Sequence, residues 1–352
     1  MTLSLTALPP KILLAALTPC LLAQAPAQTP IQAPPAPPTT LRLTSNLVLV
    51  PAQIQAKHGD MLYGLKPSQF VLEDNGIPQT IKLDEDTDSQ GLSLVVAVQC
   101  SREAYAQFNR LKGLTAMVDD LTGGAPREVA VVSYGNEPEF IAPEHAPAFT
   151  SDPDQLAHNL AELQPCEDGG NATLDAVDYS IHLFDSDPAT RTSRNRRAIL
   201  LIGETRDHGS RIKPATVIAN LGRTNTVVDA VSFNPGKTSV VDSLIHGQFG
   251  PGYVGLIVMA VEALRKNVPH TLAALSGGEY TNFTTQKGFD TGVHRLANHI
   301  HNFYLLSFQP PATNPPGLHR LTLKIPDYPD AKIHSRLTYY AGETPPPDVP
   351  EY

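Results

Sequence analysis

The 352-residue chain has no excess of basic residues and no long apolar run, and it contains only 3 cysteines. Its 26 Lys and Arg are outnumbered by 35 Asp and Glu, which gives a net charge of -9. This balance argues against a nucleic-acid partner, because phosphate binding relies on clustered positive charge. No stretch reaches the roughly 20 apolar residues that cross a bilayer. The sequence therefore predicts no membrane span.

The two ends of the chain have the composition of processing and linker segments. Lys11 precedes an apolar stretch from Ile12 to Leu22, and small residues follow it, as in a cleaved secretory signal. We therefore expect residues 1–27 to be a signal peptide and the protein to be secreted or periplasmic. Residues 28–40 are rich in Pro, Ala, Gln and Thr, which predicts an extended linker, and residues 342–352 are expected to form a similar tail.

The centre of the chain alternates apolar strand patterns with helical spacing, which is typical of a doubly wound, mostly parallel α/β sheet. LVVAV ends at Val98, VAVVSY at Tyr134, AILLI at Ile202 and VVDAVSF at Phe233. Apolar residues at helical spacing predict a helix from Tyr105 to Leu121. Asp152 followed by Pro153 predicts another helix start, with an acidic N-cap and proline in the first turn.

Strand patterns also occur on both sides of this central region. Residues 41–89 and 302–341 carry alternating apolar and polar stretches with turn signals such as Asn75-Gly76. We predict that these two segments pair into one small β module, which flanks a central domain at residues 90–301.

Three short loops carry the pattern that points to a family. Residues 99–103 (QCSRE) follow the first central strand, residues 169–176 (GGNATLDA) open a helix, and residues 203–205 (GET) follow a later strand. In an open parallel sheet such loops meet beyond the carboxyl ends of the strands. The arrangement resembles the von Willebrand factor A domain, and more narrowly the VWFA-related ("Acidobacterial") family of secreted bacterial proteins, from about Leu41 to Ala341. In that family the loops read D-T-S-G-S, G-G-T-A-L-Y-D-A and T-D-G or S-D-G.

The resemblance implies a metal-ion-dependent adhesion site (MIDAS) with altered ligands. A hard divalent ion wants about six oxygen ligands. Only Ser101 keeps the residue type of the family motif. Gln99 and Asn171 offer neutral amides in place of an aspartate and a threonine. Glu103 stands at a serine position, and Glu204 is one methylene longer than the aspartate of the motif. The sequence therefore predicts a degenerate site with no cofactor, in which the guanidinium groups of Arg102 and Arg206 pair with these acids.

The resemblance also brings Cys100 and Cys166 into neighbouring loops. Cys20 is expected to leave with the signal peptide, and an exported protein meets an oxidising compartment. A disulfide between Cys100 and Cys166 would then tie two loops that a metal ion ties in the family. The alternative is two unreactive, half-buried thiols.

Other candidate residues give weaker patterns. His294, His299 and His301 cluster on a late helix without a Cys or carboxylate at zinc-ligand spacing, which favours surface histidines. Ser101 lies in no G-x-S-x-G sequence and has no assigned base.

We conclude from the sequence that the chain is an exported module that binds a protein or an envelope polymer, without metal and without enzymatic activity. Three alternatives stay open: Ca²⁺- or Mg²⁺-dependent adhesion through Ser101, Glu103 and Glu204, a serine hydrolase using Ser101, and a purely structural envelope component. The predicted partner-binding rim consists of Gln99, Ser101, Arg102, Glu103, Asn171, Glu204 and Arg206.

Overall fold

The computed structural model describes residues 47–84, 91–123, 126–233 and 253–349. The predicted signal peptide and linker lie outside these residues. The strands are β1 (Val48–Gln55), β2 (Val71–Asp74), β3 (Ile77–Pro78), β4 (Ile81–Asp84), β5 (Leu92–Gln99), β6 (Arg127–Tyr134), β7 (Pro138–Ile141), β8 (Arg196–Glu204), β9 (Val227–Phe233), β10 (Tyr280–Phe283), β11 (Tyr304–Phe308), β12 (Gly317–Lys324), β13 (Lys332–Ser335) and β14 (Thr338–Ala341). The helices are α1 (Leu114–Thr122), α2 (Pro153–Ala161), α3 (Thr173–Ser186), α4 (Pro214–Thr224), α5 (Tyr253–Lys266), α6 (Val268–Ser276) and α7 (Gln286–His301).

A six-stranded sheet forms the centre of the fold, in the order β10-β9-β8-β5-β6-β7. The first five strands in this order are parallel, and β7 pairs antiparallel with β6 at one edge. Strand order reverses at β5, since β6 lies on one side of it and β8 on the other. This confirms the doubly wound α/β class. It also places the carboxyl ends of β5, β6 and β8 side by side at one edge of the sheet.

The buried strand β5 explains why helices cover both faces of the sheet. Every residue from Leu92 to Gln99 is buried. Successive side chains point to opposite faces, so Val95 and Ala97 pack with α3, α4 and α5, while Val96 and Val98 pack with α1, α2 and α7. A continuous apolar run is the pattern expected of a strand in a parallel sheet covered on both sides.

The helix ends follow local sequence signals. The side chain of Asp152 accepts a hydrogen bond from the Asp154 amide at 2.9 Å, and Pro153 stands in the first turn of α2, as predicted. Helix α4 begins at Pro214 and ends at Thr224, and the left-handed backbone of the C-cap Asn225 (φ 55°) terminates it.

The β module contains strands from both ends of the described chain. Two four-stranded sheets, β13-β1-β11-β4 and β14-β12-β2-β3, share one apolar core. Within it, Phe308 of the first sheet meets Tyr339 of the second edge to face, with ring centroids 5.5 Å apart. In the second sheet a buried Asp74 accepts hydrogen bonds from the Tyr339 hydroxyl at 2.6 Å and lies 2.9 Å from His319 Nδ1. This confirms the flanking module, while the domain boundaries at residues 89/90 and 301/302 stay predictions.

Two features of the helices differ from expectation. Residues 102–113 form a 3₁₀ helix, and the α-helix begins only at Leu114, immediately after Gly113, a residue that weakens helical backbone. The sequence patterns also did not predict α4 and α6. Among the residues that the structure describes, no helix has the length and apolar character needed to span a membrane.

Candidate functional site

The three loops named from the sequence meet at the carboxyl edge of the central sheet. The Cys166 amide donates to the Cys100 carbonyl at 2.8 Å, which joins the first loop to the segment before α3. Asn171 and His208 exchange two backbone hydrogen bonds, of 2.7 and 2.8 Å, which join that segment to the loop after β8. Backbone hydrogen bonds therefore connect all three loops.

A disulfide reinforces the first of these connections. Cys100 and Cys166 are bonded, and their Cα atoms lie 5.1 Å apart. The bond closes a sequence separation of 66 residues, across α1, β6, β7 and α2. It thus ties the end of β5 to the loop that begins α3.

Gln99, which the sequence resemblance aligned with the family's first aspartate, is fully buried. Its Oε1 accepts the Glu204 amide at 2.8 Å, and this orients the side chain, because a backbone N–H can only donate. Nε2 therefore donates to Ser101 Oγ at 2.8 Å, and the Ser101 hydroxyl donates to Glu103 Oε2 at 3.2 Å. One continuous chain of hydrogen bonds thus runs from the end of β8 to the start of the 3₁₀ helix.

Asn171 completes the network from the second loop. Its Nδ2 donates to Glu204 Oε1 at 3.0 Å and to the Arg206 carbonyl at 2.6 Å. Its Oδ1 accepts the Thr173 hydroxyl at 3.0 Å. Both amide donors and the amide oxygen are therefore used within the protein, as expected for a polar side chain that is 1% exposed.

Tyr134 lies beneath this network and was not predicted as a site residue. It ends β6 and is fully buried, and burial raises the pKa of its hydroxyl. Gly203 leaves the space that this hydroxyl occupies, since a Cβ atom at position 203 would collide with the Tyr134 oxygen and lie 3.0 Å from Gln99 Oε1. The only sequence signal for this role was a tyrosine at the end of an apolar strand.

Glu204 is the less exposed of the two carboxylates in the network, and it is about half-buried. Burial raises its pKa above the usual 4.5, and the nearby charge of Glu103 acts in the same direction. The hydrogen bond from Asn171 and the proximity of His208 oppose these effects only in part. No guanidinium compensates the charge of Glu204. Arg102 pairs instead with Glu167 at 3.6 Å, and Arg206 forms no ion pair with any described acid. The predicted pairing of Arg102 and Arg206 with Glu103 and Glu204 was therefore wrong.

The residues at the predicted ion positions do not fit a hard divalent cation. Such an ion needs about six convergent oxygens, several of them charged. Here the amide oxygens of Gln99 and Asn171 accept hydrogen bonds from Glu204 N–H and Thr173. The amide nitrogens donate inward to Ser101 and Glu204. Donor groups thus stand where a cation's ligands would converge.

The accessible part of the predicted rim is smaller than the sequence suggested. Gln99, Ser101 and Asn171 are buried, at 0, 0 and 1% exposure, and so lie beneath the surface. Arg102, Glu103 and Arg206 are exposed, and Glu204 is partly exposed. Sequence reasoning missed Tyr105 beside them, a large aromatic side chain that is 65% exposed. We call Arg102, Glu103, Tyr105 and Arg206 the exposed rim.

The geometry gives no support to Ser101 as a nucleophile. Its side chain is fully buried, and its hydroxyl proton is donated to Glu103. Among the described residues, the only side chains hydrogen bonded to Ser101 Oγ are Gln99 and Glu103, and no histidine is among them.

The histidines on α7 are not all at the surface. His294 is exposed, but His299 is 5% exposed and faces Asp229 of β9, with Nδ1 3.5 Å from Oδ1. The prediction of surface histidines was therefore wrong for His299. No local sequence pattern indicated that His299 is buried, because its partner carboxylate, Asp229, is distant along the chain.

No protein family model and no curated protein sequence matches the chain. Some solved structures are similar to it. The mussel byssus proximal thread matrix protein 1, in a form with a zinc-occupied MIDAS motif, is 11% identical, with a TM-score of 0.42, and the match covers 64% of this chain and 49% of that one. BatB from Bacteroides thetaiotaomicron is 15% identical, with a TM-score of 0.38 and coverage of 59% and 100%. The chain spans about half the length of the mussel protein.

Proposed function

We propose that this chain is an exported binding module that uses the exposed rim to hold a protein or an envelope polymer, without a divalent ion. It belongs by this proposal among von Willebrand factor A-like modules whose MIDAS has lost its metal. The buried residues Gln99, Ser101 and Asn171 act as the support of the rim, and they do not touch the partner.

The observation that carries the proposal is the closed hydrogen-bond network below the rim. Gln99 Nε2 and Asn171 Nδ2 direct donors to Ser101 and Glu204, so the positions that present oxygens in a MIDAS present N–H groups here. A network in which the buried donors and acceptors are satisfied holds loops in one arrangement, which is the role a metal ion plays in the family.

The composition of the exposed rim supports a binding role. Arginine and tyrosine are enriched among the residues that dominate the energetics of protein interfaces, and Arg102, Tyr105 and Arg206 are all exposed there. The disulfide keeps the segment that carries two of them next to the start of α3. A rim held in place loses little conformational freedom when it binds.

Metal independence is tested by calorimetric titration of the purified chain with Mg²⁺ and with Ca²⁺. We expect no binding at the rim by the wild-type protein. A variant that restores the family ligands, Gln99→Asp, Glu103→Ser, Asn171→Thr and Glu204→Asp, is the matched positive control and should bind one ion. Stoichiometric binding by the wild-type protein that is lost in Glu204→Ala would overturn the metal-independent proposal in favour of cation-dependent adhesion.

Partner binding is tested by comparing an Arg102→Ala/Tyr105→Ala/Arg206→Ala variant with wild-type protein. Both are incubated with isolated cell-envelope fractions, in buffer and in EDTA. We expect retention by wild-type protein in both buffers and a loss of at least about tenfold in the variant, since the few interface residues that cost more than about 1 kcal/mol on truncation are enriched in Arg and Tyr. The control is Arg194→Ala, an exposed arginine preceding β8. Equal retention of the rim variant would favour a purely structural component.

A further inference from the structure

A second polar cluster lies at the opposite, amino edge of the central sheet. It contains Glu279, which directly precedes β10, His299 near the end of α7, and His334 in β13 of the β module. One nitrogen from each imidazole and one carboxylate oxygen lie within 4.8 Å of one another. The two rings are nearly perpendicular, at 83°, with centroids 5.2 Å apart. Three separate segments of the chain thus bring two imidazoles and one carboxylate together.

Each histidine has one ring nitrogen directed at an oxygen acceptor. His334 Nε2 lies 2.7 Å from the Gly278 carbonyl, and a carbonyl can only accept, so Nε2 carries the proton. His299 Nδ1 lies 3.5 Å from Asp229 Oδ1. When each ring is neutral, as a metal ligand must be, the remaining nitrogen is Nδ1 of His334 and Nε2 of His299, and that nitrogen keeps its lone pair.

The acceptors that hold these rings are themselves fixed. Asp229 is 1% exposed, and its Oδ1 accepts the Glu279 amide at 2.8 Å. Gly278 is tightly packed, since a Cβ atom at that position would collide with the Val228 carbonyl. Metal-binding histidines almost always donate their second ring N–H to a carboxylate or a backbone carbonyl, which orients the ring. Here His299 has the first kind of partner and His334 has the second.

The cluster is open to solvent on one side. Glu279, His299 and His334 line a polar groove of about 680 Å³ together with Gln53 and Asn298. Glu279 is only partly buried, so its carboxylate can turn toward the two imidazoles, which keep their oxygen partners. A tetrahedral zinc ion with bonds of about 2.0–2.1 Å holds its ligand atoms about 3.3–3.4 Å apart. The three ligand atoms here lie within 4.8 Å of one another, so a small closer approach completes the site. The groove leaves room for a water molecule as the fourth ligand.

We infer that Glu279, His299 and His334 form a binding site for one transition-metal ion of the Zn²⁺ class. Two imidazole nitrogens and one carboxylate oxygen are ligands that zinc takes with a fourth position open. The bound ion would join α7 and the start of β10 to strand β13 of the β module. This site is separate from the rim, and the inference does not depend on the proposed function.

The test is titration of the full chain with Zn²⁺ by calorimetry, and with Co²⁺ by visible absorption, which reports tetrahedral coordination. We expect one equivalent bound by wild-type protein and at least about tenfold weaker binding in His334→Gln and in Glu279→Gln, because each loses one of three ligands. His294→Gln, on the exposed side of the same helix, is the matched control and should bind as wild type does. Glu204→Gln tests whether the rim takes the metal instead.

The outcomes decide the inference even if one variant fails to fold. His299 is buried, so His299→Gln is interpreted only if its circular dichroism matches wild type; the partly buried His334 and Glu279 variants provide the decisive comparison. Absence of binding by wild-type protein would overturn the site. So would zinc affinity that is unchanged in both His334→Gln and Glu279→Gln, since the metal would then sit elsewhere.

Discussion

The guanidinium of Arg336 donates a hydrogen bond to Asn225 Oδ1 at 3.0 Å, joining the β module to the end of α4. Asn225 also binds the backbone of β1, since its Oδ1 accepts the Leu49 amide at 3.0 Å. Arg336 is 1% exposed and donates further hydrogen bonds to carbonyls of Leu49, Leu221 and Thr338. Burial lowers the pKa of Arg336 to about 10. One buried cation thus connects the strands of the module to a helix of the central domain.

Replacing Arg336 by Met should therefore destabilise the protein by about 3 kcal/mol or more, because several buried carbonyls lose their donors together. Urea unfolding of Arg336→Met against wild type measures the change in free energy of unfolding. The matched control is Arg194→Met, an exposed arginine, which we expect to change stability by about 0.5 kcal/mol or less. If Arg336→Met lowered the free energy of unfolding by no more than this control, Arg336 would not be what connects the β module to α4.

Removing the disulfide should cost about 2–4 kcal/mol, mainly because the unfolded chain regains conformational freedom. The comparison is Cys100→Ala/Cys166→Ala against wild type, by denaturant unfolding under non-reducing conditions. Alkylation followed by intact-mass analysis gives the pairing directly. We expect Cys100 and Cys166 to be modified only after reduction, and their modification in unreduced, freshly exported protein would show that the bond is absent.

Glu204→Gln should change how stability depends on pH. The pKa of Glu204 in the folded protein is raised above its usual 4.5, so the folded state binds a proton more readily than the unfolded state does. Above the raised pKa, the charged Glu204 carboxylate lowers the free energy of unfolding because it is held half-buried. This loss of stability disappears as pH falls through the raised pKa toward 4.5. Glutamine carries no charge at any pH. We expect the variant to gain stability relative to wild type at neutral pH, and the gain to shrink on acidification.

Urea unfolding at a series of pH values checks this prediction. Glu167→Gln is the control, since the Glu167 side chain is 91% exposed. Parallel pH profiles for Glu204→Gln and wild type would mean that Glu204 is not the group responsible.

Gly203→Ala should destabilise the protein by about 1–3 kcal/mol, the usual cost of overpacking a well-filled core. The new methyl group would collide with the Tyr134 hydroxyl. Adding Tyr134→Phe removes that oxygen, so the double variant should recover part of the loss. A double-mutant cycle measured by thermal or urea unfolding gives the coupling energy. Strictly additive effects would show that the two positions do not share this space.

The central sheet could be predicted from the sequence because its strands are buried on both faces. Runs such as LVVAV and AILLI have no polar face, and the parallel class follows from their alternation with helical spacing. Helix α6 was harder, since eight of its nine residues are buried and such a helix lacks the one-sided apolar pattern that reveals a surface helix.

The site could be located but not described from the sequence. The loop motifs placed Gln99, Asn171 and Glu204 together, and the structure brings them together. Which atoms pair depends on distances between side chains: Arg102 is beside Glu103 in the sequence, yet its guanidinium pairs with Glu167. The cluster at Glu279, His299 and His334 joins distant segments, so no local spacing indicated it.

The construction of the β module has a consequence for how the protein is made. Strand β1 pairs only with β11 and β13 among the described strands, and both of these are near the opposite end of the chain. A ribosome completes β1 long before either partner exists. Until then the apolar residues and unpaired backbone groups of β1 are exposed to solvent, and strands of other nascent molecules can pair with them. We therefore expect assembly of this module to be a late step in folding, after β11 and β13 have been synthesised.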